Sequence, residues 1–127
     1  VTTAVNHYSY RFSRRAHAEG LVVLDDPDSI VKCTNKVYLT ELLNKAHVSI
    51  PKTMIIHKDN HKDVANEFNF PCVLKLPDSA FSQGVVKAHS ETELQEKMSA
   101  FFDKSELIIA QEFLPTDFDW RIGIINR

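Results

Sequence analysis

From Thr34 onward, short apolar runs alternate with segments of helical period, and that order admits few architectures. Thr53-Met54-Ile55-Ile56, Cys72-Val73-Leu74-Lys75-Leu76, Gly84-Val85-Val86-Lys87-Ala88 and Glu106 to Leu114 have the length and side chains of strands. Between them, Leu39, Leu42, Leu43 and Ala46 form one helical stripe, and His61–Phe68 makes a short helix with Val64, Ala65 and Phe68 inward. Thr34 can cap the first helix, and Val48-Ser49-Ile50-Pro51 ends it, because the residue before a proline resists helical geometry. Ser90-Glu91-Thr92-Glu93 is a capping box in which Ser90 and Glu93 satisfy each other's backbone donors, and Leu94, Met98, Phe101 and Phe102 continue the helix behind it. Asp119 to Ile125 begins a further strand. This order predicts an α+β fold, a layer pair whose helices cover one face of a sheet.

The residues ahead of Thr34 belong to a different pattern. Arg11 to Glu19 is expected to form a short polar helix with Gly20 as its C-cap. Leu21 to Leu24 follows as a short strand, and Asp25-Asp26-Pro27 as a turn out of it. Asp25, Asp26 and Asp28 lack the glycine and the closing glutamate of a calcium loop.

Composition narrows the possible functions. The chain has 127 residues, enough for one domain or part of one, with 15 Lys+Arg against 17 Asp+Glu and a formal charge of −2. That balance argues against a grip on duplex DNA through phosphate neutralisation, so no nucleic-acid partner is expected. No run approaches the length of about 18 apolar residues that a membrane helix requires, and the N-terminal stretch lacks a hydrophobic signal core. Cys33 and Cys72 have no CxxC partner, which points to a buried reduced thiol at each and a cytoplasmic location. The last residues, DWRIGIINR, are an apolar run without a turn or tail, so the chain is expected to be part of something longer, with Ile122 to Ile125 left as a sheet edge.

Lys75 is the first residue that invites a chemical reading. It shares a strand face with Val73, opposite Cys72, Leu74 and Leu76. Its stem can pack while the ammonium reaches water, or it can hold a point charge toward an anion. The loop that follows, Pro77 to Gly84, is rich in small and polar residues whose backbone N–H groups can surround phosphate oxygens. The lysine precedes this loop, the reverse of the protein-kinase order. Lys36 lies in the first turn of its helix, where the dipole already favours anions. Gln111 to Leu114 ends an apolar strand on a polar pair, able to offer backbone groups to a planar base edge. Asp119 and Arg121 flank Trp120 and share a strand face, as a surface ion pair or as cleft residues. The six histidines form no metal set: Asp59-Asn60 places a turn between His57 and His61. Arg14 and Arg15 read as a solvated helix face.

Together, CTNKVYLTELLNKAHVSIPKT, FPCVLKLPDSAFSQGVVKA and AQEFLPTDFDWRIGI resemble the RimK-like branch of the ATP-grasp superfamily, over residues 33–125. The resemblance implies an antiparallel lid subdomain with its adenine hinge at 33–114, the end of a preceding unit at 1–32, and the start of the next sheet at 115–127. It implies ATP as substrate, with Lys36 and Lys75 as its two lysines; the first stands in a segment that usually reads Asp-Lys and here reads Asn35-Lys36. Ser82, Gln83 and Gly84 correspond to the loop that closes over the triphosphate. Gln111, Glu112, Phe113 and Leu114 correspond to the hinge, with the backbone reading adenine. Asp119 corresponds to the ribose acid and Arg121 to a catalytic wall against substrate or phosphate.

Family chemistry phosphorylates a carboxylate with ATP and lets an amine displace the phosphate, the substrates being an amino acid, peptide or protein terminus. Magnesium is implied as well, with its ligands expected downstream of this chain. The alternative reading is a non-catalytic nucleotide-binding or interaction module, suggested by Asn35 and by a loop with little glycine.

Overall fold

The computed structural model describes residues 2–79 and 84–123. Its first element, α1 (Thr2–Ala18), is longer than the expected Arg11–Glu19 helix. Gly20 closes it with φ +80°, as its N–H and that of Leu21 bond to the carbonyls of His17 and Ala16. The expected strand Leu21–Leu24 does not form, because no other described segment pairs with it: Val22 and Leu24 are each 95% exposed, and Cys33, expected to be buried, is exposed as well. The expected turn at Asp25-Asp26-Pro27 is instead a helix start. Asp26 accepts from the backbone of Asp28 and Ser29, Pro27 takes the first helical position, and α2 runs Pro27–Thr34.

Thr34 therefore ends a helix, and the cap of α3 (Lys36–Lys45) is Asn35, whose side-chain oxygen accepts from Tyr38 N at 3.0 Å. This helix stops before Pro51 bears on it. His47 adopts φ 53° and Val48 N–H bonds back to Leu43 O, a left-handed termination without glycine.

The remaining elements follow the expected order: β1 (Thr53–Ile56), a 3-10 turn (His61–Asp63) running into α4 (Val64–Glu67), β2 (Cys72–Lys75), β3 (Val85–Ala88), α5 (Glu91–Phe102) and β4 (Ile108–Glu112). Ser90 caps α5 through Glu93 N at 3.2 Å, but the returning carboxylate of Glu93 meets His89 N, one residue earlier than a standard capping box. The four strands form one antiparallel sheet in the order β1-β4-β2-β3.

The pleat then sorts side chains. Cys72 and Leu74 of β2, Ile108 and Ala110 of β4, Ile56 of β1 and Ala88 of β3 all point to one face. There they meet Leu94, Met98 and Phe101 of α5 with Val64 and Phe68, and these residues make up the hydrophobic core. No helix among the described residues is long and apolar enough to cross a membrane. Leu74 has no exposed surface at the centre of this core, so Leu74→Ala is expected to cost about 2–5 kcal/mol of stability. Urea denaturation measures it; a loss well under 1 kcal/mol would show that the sheet face is not the core.

Candidate functional site

The second face of the sheet carries the polar chemistry. Strand register sets Thr53, Gln111, Val73 and Lys87 in one row and Ile55, Ile109, Lys75 and Val85 in the next. Lys75 and Gln111 are diagonal neighbours, and the Lys75 ammonium donates to Gln111 Oε1. Gln111 Nε2 donates in turn to Thr53 Oγ1 at 2.8 Å, and Thr53 Oγ1 to Pro51 O at 2.7 Å. The ammonium is half-buried, and loss of hydration holds its pKa below the ordinary lysine value.

Lys36 approaches the same region from the first turn of α3. Its backbone N–H bonds to Pro77 O at 3.0 Å. Its ammonium lies against Leu76 O at 3.3 Å, Pro77 O at 3.4 Å, Ser79 Oγ at 3.0 Å and Ser79 O. Burial lowers its pKa, the charge of Lys75 lowers it further, and Asp78 opposes the shift. An ammonium has three protons, so the turn after β2 can engage all of them, whereas among the described residues Lys75 donates only to Gln111. Asn35 adds a second tie, its Nδ2 donating to Asp78 Oδ1 at 2.8 Å.

Gly84 closes the far end of the turn. Its carbonyl accepts from Leu76 N at 2.8 Å, its φ is +70°, and a Cβ there would lie 2.9 Å from both Leu76 Cδ1 and Ser79 Cβ. Only glycine meets both conditions without strain. Ser82 and Gln83 lie outside the described residues.

Residues 33–126 match the RimK-like ATP-grasp domain. The chain belongs to that family. Alpha-aminoadipate–LysW ligase LysX of Sulfolobus acidocaldarius is 32% identical over 99 residues, covering 72% of this chain and 35% of that protein. A probable alpha-L-glutamate ligase 1 of Shewanella sp. is 26% identical over 118 residues, covering 90% of this chain and 38% of that protein. The crystal structure of a RimK domain ATP-grasp protein from Sphaerobacter thermophilus has the same fold, with a TM-score of 0.71 at 14% identity over 85% of this chain and 42% of that one. A D-Alanine-D-Alanine ligase from Helicobacter pylori does so with a TM-score of 0.60 at 20% identity over 70% of this chain and 28% of that one. The ATP-grasp chain thus spans well under half the length of these relatives.

The residues expected to form the hinge, Gln111 to Leu114, occupy the end of β4 and the chain beyond it. Glu112 pairs with Lys52 through both its backbone N–H and its carboxylate, the latter accepting from Lys52 N at 2.6 Å. Phe113 lies under the Lys87 ammonium, 3.5 Å from ring centre to nitrogen. Leu114 is exposed. Asp119 and Arg121 are not brought to the lysines. The expected strand from Asp119 does not form through Gly123, so the two residues share no strand face, and both are exposed. Trp120, 80% exposed, stacks edge-on with Phe118 rather than against the sheet. Ile124 and Ile125 lie outside the described residues.

Thr53, Lys87 and Asp78 were not singled out by motif. Lys87 sits two residues from Val85 in an alternating strand, the same signal that exposed Lys75. Thr53 and Asp78 become visible only once the strand register and the α3 cap are known. A separate concavity of about 480 Å³ beside Asn35 and Tyr38 is lined by Glu41, Asp78 and Glu106; its charge suits no polyanion. Lys36→Met is expected to release the turn without unfolding the sheet. Hydrogen exchange of the residue-36 and Leu76 amides, bonded to Pro77 O and Gly84 O, should quicken while that of β4 holds, and unchanged exchange at both would contradict Lys36 as the staple of the turn.

Proposed function

We propose that this chain is the nucleotide-gripping part of an ATP-dependent carboxylate–amine ligase, working in the cytoplasm, where its two unpaired thiols remain reduced. In this reading residues 33–114 form the lid subdomain with its hinge, 1–32 close a preceding unit, and 115–127 open the sheet that faces the lid. The observation that carries it is the convergence of two half-buried lysines, Lys36 and Lys75, on one side of the sheet beside a tight polar turn. Two desolvated ammonium groups with no carboxylate salt-bridged to either among the described residues await an external polyanion.

In this reading each residue takes the role that the family resemblance implies. Lys75, with one acceptor among the described residues, takes an α-phosphate oxygen, and Lys36 reaches the phosphates by exchanging turn carbonyls for them. Ser82, Gln83 and Gly84 fold over the triphosphate. The backbone from Gln111 to Leu114 reads the adenine edge, Asp119 holds the ribose, and Arg121 lines the substrate or phosphate wall. Asn35 replaces the usual aspartate without loss of a cap, and its amide donates to Asp78, where a carboxylate would have faced another carboxylate.

A substrate carboxylate oxygen attacks the γ-phosphorus, giving an acyl phosphate and ADP; the amine then attacks the acyl carbon and inorganic phosphate leaves. Positioning and charge neutralisation supply such catalysis. Magnesium belongs to this chemistry in the family, and what this part of the chain contributes to the phosphates in this reading is its lysines. The printed names of the relatives, an aminoadipate ligase and a glutamate ligase, support an amino-acid substrate joined to an amine of an amino acid, peptide or protein terminus.

Lys75→Ala in the intact protein is expected to weaken ATP binding by about tenfold or more, the worth of one charge-assisted hydrogen bond. Calorimetric titration reads the change, and an unaltered affinity would remove the phosphate role. Sustained, multiple-turnover ADP formation should require carboxylate and amine together; ATP bound tightly with no turnover across a broad panel favours a nucleotide-sensing module instead.

A further inference from the structure

We propose that Thr53 and Gln111 are positioning residues: Thr53 fixes the sense of the Gln111 amide so that its oxygen, and never its NH2, meets the Lys75 ammonium. The proposal rests on the nucleotide role of Lys75 for its purpose, but not for its test.

The argument is one of donors and acceptors. Lys75 Nζ has protons and no lone pair, so whatever touches it must accept. At the other end of the chain, Pro51 offers only a carbonyl. Between them run Thr53 Oγ1→Pro51 O at 2.7 Å, Gln111 Nε2→Thr53 Oγ1 at 2.8 Å, and Lys75 Nζ→Gln111 Oε1. Because the Thr53 hydroxyl proton is committed to Pro51, only its lone pairs face Gln111. The amide must therefore turn its NH2 toward Thr53, which leaves its oxygen for Lys75. An amide is nearly symmetric in shape, and without Thr53 nothing on β1 would oppose its reversal. Reversal would set two N–H groups against an ammonium.

The relay crosses β1, β4 and β2, three adjacent strands whose register alone brings these side chains together. It also explains why Gln111 occupies its place at the end of β4. There the family resemblance assigns only the backbone, whereas the side chain is the single acceptor among the described residues for a half-buried charge. One proton of Lys75 is spent on it, and the other two are aimed by it. The charged groups on the surrounding elements are Lys36 from α3, Lys87 from β3 and Asp78 from the turn; β1 and β4 present only Thr53, Ile55, Ile109 and Gln111 to this face. With two cations nearby and Asp78 held by Asn35, the amide oxygen is the described acceptor that favours the charged form of Lys75.

The test follows Lys75 itself. In the intact protein without nucleotide, carbon-13 at the lysine Cε reports each ammonium's titration, with the Lys75 signal assigned by its loss in Lys75→Ala. Thr53→Val is expected to lower the Lys75 pKa by about one unit, a tenfold change in its ionisation constant, and Thr53→Ser to restore it. Gln111→Glu, which leaves an acceptor in place with added negative charge, should raise it. Nucleotide affinity should follow with the same sign: bound phosphate needs the charged amine, so the fall in affinity with rising pH moves to lower pH in Thr53→Val and to higher pH in Gln111→Glu. A Lys75 titration that stays put in Thr53→Val, or a Thr53→Ser variant that behaves like Thr53→Val, would overturn the relay. Because Gln111→Glu shifts in the opposite direction, general loosening of the strand cannot imitate the pattern. If the titration moves as expected while Lys75→Ala leaves ATP affinity unchanged, the relay stands and the nucleotide reading falls.

Discussion

The pairing of β2 with β4 decides the chemistry of both faces of the sheet, because it sets Val73 opposite Gln111 and Lys75 opposite Ile109. A shift of one residue would carry every side chain of β2 to the other face. Lys75 would then enter the core beside Leu94 and Met98, where an unpaired ammonium costs several kcal/mol, and Cys72 and Leu74 would lose their place under α5. Packing on one face and charge on the other thus reject the same error. The central position of β4, bonded on both sides, extends that register to Thr53 on β1.

Within this frame the two lysines are held in different ways. Lys75 projects from β2, an inner strand paired on both sides by β3 and β4, and one amide oxygen orients it. Lys36 stands on the first turn of a helix capped by Asn35, and its contacts are to a turn of the same chain. The first arrangement is rigid and leaves donors unused. The second consumes its donors in shaping the turn that Gly84 closes. Their mutual repulsion is tolerated because each meets oxygen atoms that carry no full charge.

Much of this was legible in local pattern. Apolar alternation located Thr53–Ile56, Cys72–Lys75, Val85–Ala88 and Ile108–Glu112, and the inward face of α5 followed from helical period. Alternation also placed Lys75 opposite the core before any strand partner was known. Where the reading failed, the missing information was non-local or was shared between two structures. Leu21–Leu24 has the composition of a strand but no neighbour to pair with, and pairing is what a strand consists of. Asp26-Pro27 suits both a turn and a helix start; the outcome depends on whether the next residues propagate the helix, as Ser29 to Thr34 do. The Lys75–Gln111–Thr53 chain spans residues 53 to 111 and exists only after the sheet has assembled. Asp119 and Arg121 show the same limit from the other side, since their expected common face required a strand that is not formed through Gly123.

Lys36 gives the turn and any bound phosphate a common currency. Its three protons are divided among the oxygens of Leu76, Pro77 and Ser79. If the nucleotide reading holds, phosphate must take protons that the turn now holds, and the two events become thermodynamically linked. The free energy by which the staple orders the empty turn is then subtracted from the apparent affinity for nucleotide. A substitution that strengthens the turn would therefore make the protein a poorer binder, even without touching the ligand. Order in the empty site and occupancy of the full one would be set against each other through one ammonium group.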